Sequence, residues 1–165
     1  MSDFQHSLVL DASPHAIYAA LTTPAGLRGW WTQDCDVATA VGGTSQFRFG
    51  PNHKAMRIEH LEPTREVRWL CTRAHIAVSG LTRRDEWVGT TLTFHIAPED
   101  DGRTRLDFVH AGLVPALECY DLCSRGWRHF LASFERYVHT GCGSPHAFAA
   151  TTGCSARHEN AAEAA

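Results

Sequence analysis

The first thirty residues combine one strand pattern with two helix-start patterns. Residues 7–11 form a short apolar run that predicts a strand. The pair Ser13-Pro14 then suits the N-cap and first position of a helix, and Thr23-Pro24 repeats that pair ten residues further on. The pattern therefore predicts two short helices placed end to end after the first strand. It leaves Trp30 and Trp31 together at a helix end.

From residue 35 to residue 111 the hydrophobic period changes to two, which is typical of half-buried strands. Turn residues at 50–52, 62–64 and 100–102 separate the apolar runs, and residues 74–84 are irregular. Successive strands joined by short turns predict an antiparallel meander with one apolar face. The alternating sets are Phe47 and Phe49; Met56, Ile58 and His60; Val67, Trp69 and Cys71; Leu92, Phe94 and Ile96; and Leu106, Phe108 and His110.

A long amphipathic helix is predicted from near Pro115 to just before Gly141, where glycine suits the C-terminal cap. Gly126 lies inside it, although glycine costs about 1 kcal/mol relative to alanine in a helix. That glycine indicates either close packing or space for something lying against the helix. Residues 141–165 are predicted to be a disordered tail. The apolar stripe comprises Tyr120, Cys123, Trp127, Phe130, Leu131, Phe134, Tyr137 and Val138.

The order of elements predicts an α+β fold in which a curved antiparallel sheet of about six to seven strands wraps on the long C-terminal helix. The chain resembles the START-like (SRPBCC, helix-grip) superfamily, in the branch related to the C-terminal domain of the heat-shock protein 90 ATPase activator. The resemblance covers roughly residues 6–140, makes residues 1–140 one domain and implies a cavity between sheet and helix. It is carried by Ser13-Pro14 with residues 17–22, Leu27 with Trp30-Trp31, Gly42-Gly43 with Phe47, residues 61–63 with Val67 and Trp69, Thr104, Leu106, His110, Gly112, Gly126-Trp127, Leu131 and Tyr137.

The implied cavity is expected to be lined by inward-facing apolar residues, because small-molecule sites are mostly apolar with a few polar groups. The alternative is that the same side chains pack into a solid core. The predicted lining residues are Trp30, Trp31, Phe47, Phe49, Met56, Ile58, Trp69, Phe94, Phe108, His110, Cys123, Trp127, Phe130 and Phe134.

Three polar residues are candidates for proton transfer in that cavity. His110 shares parity with Leu106 and Phe108, and His60 shares parity with Met56, so both imidazoles are predicted to face inward. Glu86, at the expected start of a strand, is the carboxylate predicted near the cavity mouth. The alternatives are histidines held by structural hydrogen bonds and a solvated charge at a strand end.

The sequence carries no strong metal or cofactor motif, and none is predicted. Cys119 and Cys123 are four residues apart on one helix face, where packing is the simpler interpretation. In the C-terminal segment, two cysteines and two histidines form a weak candidate zinc set. Its members are Cys142, His146, Cys154 and His158.

Composition narrows the class of protein. The net charge of −3 and pI near 6.4 exclude a nucleic-acid-coating protein. No apolar run reaches the roughly 20 residues of a membrane span, and the N-terminus lacks a secretory pattern. The six cysteines are therefore expected to be reduced thiols of a cytoplasmic protein.

These observations predict a non-catalytic domain that binds a small hydrophobic or aromatic molecule. One alternative is a polyketide-cyclase-like enzyme, acting as a cyclase, dehydratase or hydrolase with His110 in its cavity. Another is a chaperone cofactor, which the resemblance implies, although that role in the family also uses an additional N-terminal domain. A homodimer is compatible with each of these functions.

Overall fold

The computed structural model describes residues 2–147, and its elements follow the order predicted from the sequence. One strand and two short helices precede six strands and a long helix. The elements are β1 (Phe4–Leu10), α1 (Pro14–Thr22), α2 (Pro24–Trp30), β2 (Asp34–Asp36), β3 (Thr44–Phe49), β4 (Asn52–Glu62), β5 (Glu66–His75), β6 (Thr91–Pro98), β7 (Thr104–Ala111) and α3 (Tyr120–Thr140).

The two short helices begin as their capping residues predict. The Ser13 hydroxyl accepts the Ala16 N–H at 3.1 Å, and the Thr23 hydroxyl accepts the Gly26 N–H at 3.0 Å. A Cβ at Gly26 would lie only 2.6 Å from the Ala20 backbone, so glycine allows the two helices to approach closely. The Trp30 indole N–H donates to the Ala20 carbonyl at 2.8 Å and so joins α2 to α1.

All seven strands form one antiparallel sheet in the order β1-β7-β6-β5-β4-β3-β2. Inward-facing aromatic residues meet across neighbouring strands, as in the Phe94–Phe108 pair, whose ring centroids are 4.9 Å apart. Helix α3 lies on this apolar face, with the Trp127 ring 4.5 Å from that of Phe108. The α+β helix-grip architecture predicted from the sequence is therefore confirmed. No helix within residues 2–147 combines the length and hydrophobicity needed to cross a membrane.

An irregularity in the β4–β5 pairing makes the prediction for His60 wrong. Ile58 pairs with Trp69, but the next paired residue on β4 is His60, opposite Arg68, so Glu59 is an extra residue. Such a bulge reverses the alternation of faces. Leu61 opposite buried Val67 then takes the inward parity, and the His60 imidazole lies on the other face, 3.6 Å from a Glu62 carboxylate oxygen.

Helix α3 begins at Tyr120, five residues later than predicted, and Gly141 ends it at φ 82° as expected. Residues 141–147, assigned above to a disordered tail, pack on the domain. The Gly143 backbone lies against α2 and α3, and the Ser133 hydroxyl donates to the Trp30 carbonyl while accepting the Ser144 N–H at 2.6 Å. The domain therefore extends to at least residue 147.

Candidate ligand-binding cavity

A cavity of about 320 Å³ opens between the sheet and the first half of α3. Its walls come from the end of α2, from α3, from strands β3 and β4, and from the loop that joins β5 to β6. Residue 146, beyond the end of α3, also contributes to them. The lining residues are Trp31, Phe49, Asn52, Lys54, Ile76, Val78, Trp87, Leu122, Cys123, Gly126, Trp127, Phe130 and His146.

Gly126 keeps the helix wall of this cavity open. A Cβ built at Gly126 would have no heavy atom within 4 Å apart from its own turn of helix, so close packing does not explain the glycine. Of the two interpretations given by the sequence, the structure supports free space against the helix. A larger side chain at this position would extend into the cavity.

Stacked indole rings form much of the cavity wall. The Trp127 ring lies between Trp31, at 5.5 Å and an interplanar angle of 26°, and Trp87, at 5.8 Å and 16°. Trp31 also stacks on Trp30 at 5.6 Å. Flat, polarisable surfaces of this kind favour a flat apolar or aromatic guest.

Lys54 is the charged group of the cavity lining and was not predicted as a site residue. Its Nζ atom lies 4.3 Å from the Trp87 ring centroid and 4.6 Å from that of Phe49. Part of the Lys54 side chain is accessible to solvent through the open cavity, but protein atoms surround its amine. This burial lowers the pKa of the Lys54 ammonium. The sequence did contain a signal for Lys54, because it is two residues from Met56 and four from Ile58 and so shares their predicted inward face. Only the apolar residues of that face and His60 were predicted to be site residues.

Two thiols adjoin the cavity at the start of α3. The Cys123 sulfur accepts the Trp87 indole N–H at 3.2 Å. The hydrogen bond from the neighbouring Cys119 thiol, followed by that indole donor, lowers the pKa of Cys123. The same thiol–thiol hydrogen bond, together with burial, raises the pKa of Cys119. Cys123 is therefore the more acidic thiol and the one that faces the cavity.

His110 does not line the cavity, although it is fully buried beside it. Its Nδ1 accepts the Trp127 indole N–H at 3.0 Å, which places the imidazole proton on Nε2, 2.9 Å from the Thr90 hydroxyl oxygen. Burial, with a smaller effect of the Lys54 charge, lowers the pKa of His110 to about 3. With both nitrogens engaged, the geometry matches the structural alternative stated for this histidine and offers no nitrogen for proton transfer to a ligand.

Glu86 also has a structural position. It lies in a turn rather than at the start of a strand, and it is absent from the cavity lining. One carboxylate oxygen accepts the Cys119 N–H at 3.0 Å and the other accepts the Glu118 N–H at 3.3 Å. Glu86 therefore joins the β5–β6 loop to the segment that leads into α3. The mouth carboxylate expected from the sequence is absent from the described lining.

The predicted lining divides into two groups. Five of the fourteen residues line the cavity, namely Trp31, Phe49, Cys123, Trp127 and Phe130. The other nine lie elsewhere in the fold and contribute mainly to the packed core: Trp30, Phe47, Met56, Ile58, Trp69, Phe94, Phe108, His110 and Phe134.

Several lining residues had no usable signal in the sequence. Ile76 and Val78 belong to the irregular loop, and His146 to the predicted tail. The structure brings His146 to the cavity by pairing its backbone with that of Trp31 and Gln33, and its ring lies 5.8 Å from the Phe49 ring. These placements depend on loop conformation, which hydrophobic periodicity does not predict.

The weak zinc set falls only partly within the described residues. Cys142 and His146 are described, whereas Cys154 and His158 lie outside residues 2–147. Cys142 is disulfide-bonded, which departs from the expectation of six reduced thiols and is not the thiolate form that zinc requires. Within residues 2–147, no group of three or more His, Cys, Asp or Glu side chains is arranged to hold a metal ion.

Comparison with solved structures gives relatives over most of the chain. The solution structure of the Aha1 dimer from Colwellia psychrerythraea is 29% identical, with a TM-score of 0.72, covering 87% of this chain and 100% of that one. A crystal structure of a Mesorhizobium loti protein is 19% identical, with a TM-score of 0.69, covering 84% and 97%. DynU16, encoded in the dynemicin biosynthetic locus, is 16% identical with a TM-score of 0.66, covering 87% of this chain and 49% of that one. The latter two show the shared fold alone.

Sequence comparison identifies the family. No curated protein matches the chain closely enough to count as a relative. The family model described as "Activator of Hsp90 ATPase homolog 1-like protein" matches residues 11–139, which is well over half of the chain. The chain therefore belongs to the Activator of Hsp90 ATPase homolog 1-like family and has its START-like, helix-grip fold.

Proposed function

We propose that this protein binds one small hydrophobic or aromatic molecule in the cavity between the sheet and α3, without chemical turnover. The observation that carries the proposal is the open space at Gly126, on the part of α3 that lines this cavity. Glycine destabilises a helix interior by about 1 kcal/mol relative to alanine. Space kept at that cost is useful if a ligand fills it.

The cavity has the size and chemistry of a small-molecule site. Its volume of about 320 Å³ lies at the lower end of the usual range for such sites. Five of the thirteen lining residues carry an indole or phenyl ring, while the polar lining consists of Asn52, Lys54, Cys123 and His146. Asn52 Oδ1 already accepts the Ala77 N–H at 2.6 Å, whereas the Lys54 amine has no hydrogen-bond acceptor within residues 2–147 and can meet a polar group of a guest. A flat aromatic molecule with one polar group fits this distribution.

Titration with 2-naphthylmethanol, an uncharged aromatic alcohol, tests the proposal. Trp31, Trp87 and Trp127 line the cavity, so binding should change tryptophan fluorescence and release heat in calorimetry. Gly126→Phe should abolish binding by occupying the cavity, whereas Gly126→Ala, the matched control, should retain it. Equal affinity in Gly126→Phe, or no binding across a series of uncharged aromatic alcohols, would overturn the proposal.

A chaperone interaction is the second candidate function, and the match to the Aha1 dimer favours it. That relative is 29% identical and aligns over its whole length. Stimulation of ATP hydrolysis by a purified bacterial Hsp90 tests this function, and no stimulation at saturating protein would exclude it. The cytoplasmic location expected from the sequence stays a prediction, which cell fractionation tests.

A homodimer is a separate proposal supported by the same relative, whose structure is described as a dimer. Strands β1 and β2 are the edge strands of the sheet within the described residues, and an edge strand can pair with a second copy of the chain. Sedimentation equilibrium should give twice the mass of the 18.2 kDa chain if the dimer forms. A single species at the monomer mass would exclude it.

A further inference from the structure

Lys54 differs from the arginine side chains of this protein in that its amine can lose its proton. The chain has one lysine and fourteen arginines. A guanidinium stays protonated in proteins, whereas a lysine amine can lose its proton when it is desolvated. The single amine side chain of the sequence therefore lies in the cavity proposed to bind a ligand.

The surroundings of Lys54 disfavour its charged form. Thiols of Cys71, Cys119 and Cys123 are the groups that interact with its charge, and no carboxylate within residues 2–147 forms an ion pair with it. Burial is the largest influence and lowers the pKa of the Lys54 ammonium. The faces of Phe49 and Trp87 offset part of this effect by attracting the cation. A desolvated lysine that reaches its neutral form is a nucleophile.

We propose that the Lys54 amine forms a reversible imine with an aldehyde or ketone bound in the cavity. The nitrogen lone pair forms a bond to the carbonyl carbon, and the two amine protons leave with the carbonyl oxygen as water. The product is a C=N bond with no net oxidation or reduction, and water reverses the reaction. This inference rests on the proposed function, because the cavity must first accept the carbonyl compound.

The cavity wall favours a neutral carbonyl compound over a carboxylate as the partner of Lys54. A carboxylate would lose its hydration among aromatic rings. The faces of those rings carry partial negative charge, which attracts the ammonium and repels an anion. An aromatic aldehyde instead stacks its ring on the indoles and needs only its carbonyl carbon near Nζ.

Reductive trapping with 2-naphthaldehyde tests the inference. Sodium cyanoborohydride converts an imine to a stable secondary amine, which peptide mass spectrometry locates. The Arg125→Lys variant adds a reference lysine, because Arg125 is exposed on α3. At neutral pH and limiting aldehyde, we expect modification of Lys54 to be several-fold greater than that of the introduced lysine, because burial lowers the pKa of the Lys54 ammonium and the cavity holds the aldehyde near its amine.

Two further variants give the controls. Gly126→Phe in the Arg125→Lys background should remove the Lys54 adduct and leave the reference adduct, and Lys54→Arg should remove the adduct at position 54. Equal or lower modification of Lys54 than of the reference lysine would overturn the inference. If 2-naphthylmethanol still binds in that case, the proposed function stands; if neither compound binds, both proposals fail.

Discussion

The Trp127 indole N–H donates to Nδ1 of His110 at 3.0 Å, joining the middle of α3 to the end of β7. The chain of hydrogen bonds continues from His110 Nε2 to the Thr90 hydroxyl and from that hydroxyl to the Trp87 carbonyl at 2.6 Å. Every polar atom in this chain of hydrogen bonds has a partner, and its two end residues, Trp127 and Trp87, also line the cavity. His110 therefore holds the wall in place as a neutral hydrogen-bonding residue.

The first prediction concerns the pH dependence of stability. His110 has a folded-state pKa of about 3, below the ordinary histidine value of 6.5. The contribution of His110 to the unfolding free energy is complete above pH 6.5 and is lost as pH falls toward 3. The reason is that in this range the unfolded chain binds a proton that the folded chain does not. Linkage gives a decrease of about 2 kcal/mol in the unfolding free energy from His110 between pH 7 and pH 5.

Urea denaturation of the wild type and His110→Asn at both pH values measures this contribution. Asparagine keeps hydrogen-bonding groups but does not titrate, so the variant should show the smaller decrease from pH 7 to pH 5. The remaining titratable groups affect both proteins alike. Parallel pH dependences in the two proteins would show that His110 is protonated as readily in the folded state.

The second prediction compares two helical glycines. Gly126→Ala should raise the unfolding free energy by up to about 1 kcal/mol, because the methyl group enters free space and alanine favours the helix. Gly29→Ala should lower it, because the new Cβ would overlap the Tyr137 ring. Thermal denaturation measures both changes. A loss of stability in Gly126→Ala would show that the space at Gly126 closes in solution.

The third prediction concerns the stability cost of the buried amine. Lys54→Met keeps the length and removes the desolvated charge, so the unfolding free energy at pH 7 should rise, because no ion pair within the described residues offsets the desolvation. In the wild type this cost is largest below the lowered folded-state pKa and disappears as pH rises through the unfolded-state value near 10.4. The difference between variant and wild type should therefore shrink toward pH 10.

Urea denaturation at pH 7 and pH 10 tests this prediction. Arg125→Met provides the comparison, since Arg125 is exposed and its substitution should change stability little at either pH. A gain from Lys54→Met that is equal at both pH values would argue against a lowered amine pKa. A loss of stability would indicate that the contacts with Phe49 and Trp87 outweigh the desolvation.

The fourth prediction concerns the junction between the β5–β6 loop and α3. Glu86→Ala removes the acceptor of the Glu118 and Cys119 N–H groups, so the unfolding free energy should fall by about 1 kcal/mol, as for the loss of a helix cap. Hydrogen exchange should accelerate at both amides. Asp100→Ala, in an exposed turn, should leave stability and these exchange rates unchanged. Unchanged protection in Glu86→Ala would contradict the capping role.

Much of the fold could be predicted because its signals are local. Ser13 and Thr23 act as caps through hydrogen bonds that span three residues, and Gly141 takes its left-handed conformation at the predicted helix end. The antiparallel meander could be predicted because apolar and polar residues alternate along each strand wherever the strand pairing is regular. The prediction for His60 failed at the bulge, since one extra residue on β4 reverses every later face and leaves no mark in the hydrophobic pattern.

The candidate site was less predictable because it depends on what surrounds each side chain. Trp31 and Trp127 could be recognised as inward aromatic residues, but alternation treats a core residue and a cavity residue alike. Lys54 occupies an inward position, yet its contact with Trp87 requires the β5–β6 loop to fold back over the sheet. His146 reaches the cavity only because residues 141–147 pack against α2 and α3.

The sequence by itself determined the order of the elements, the helix ends, the apolar face of the sheet and the family resemblance. Capping, strand alternation and helical spacing act over a few residues, so the chain carries them directly. The tertiary structure decided which inward side chains pack together and which leave space. Free volume depends on the fit of distant segments, and the open wall at Gly126 beside the Lys54 amine exists only where α3, the sheet and the β5–β6 loop meet.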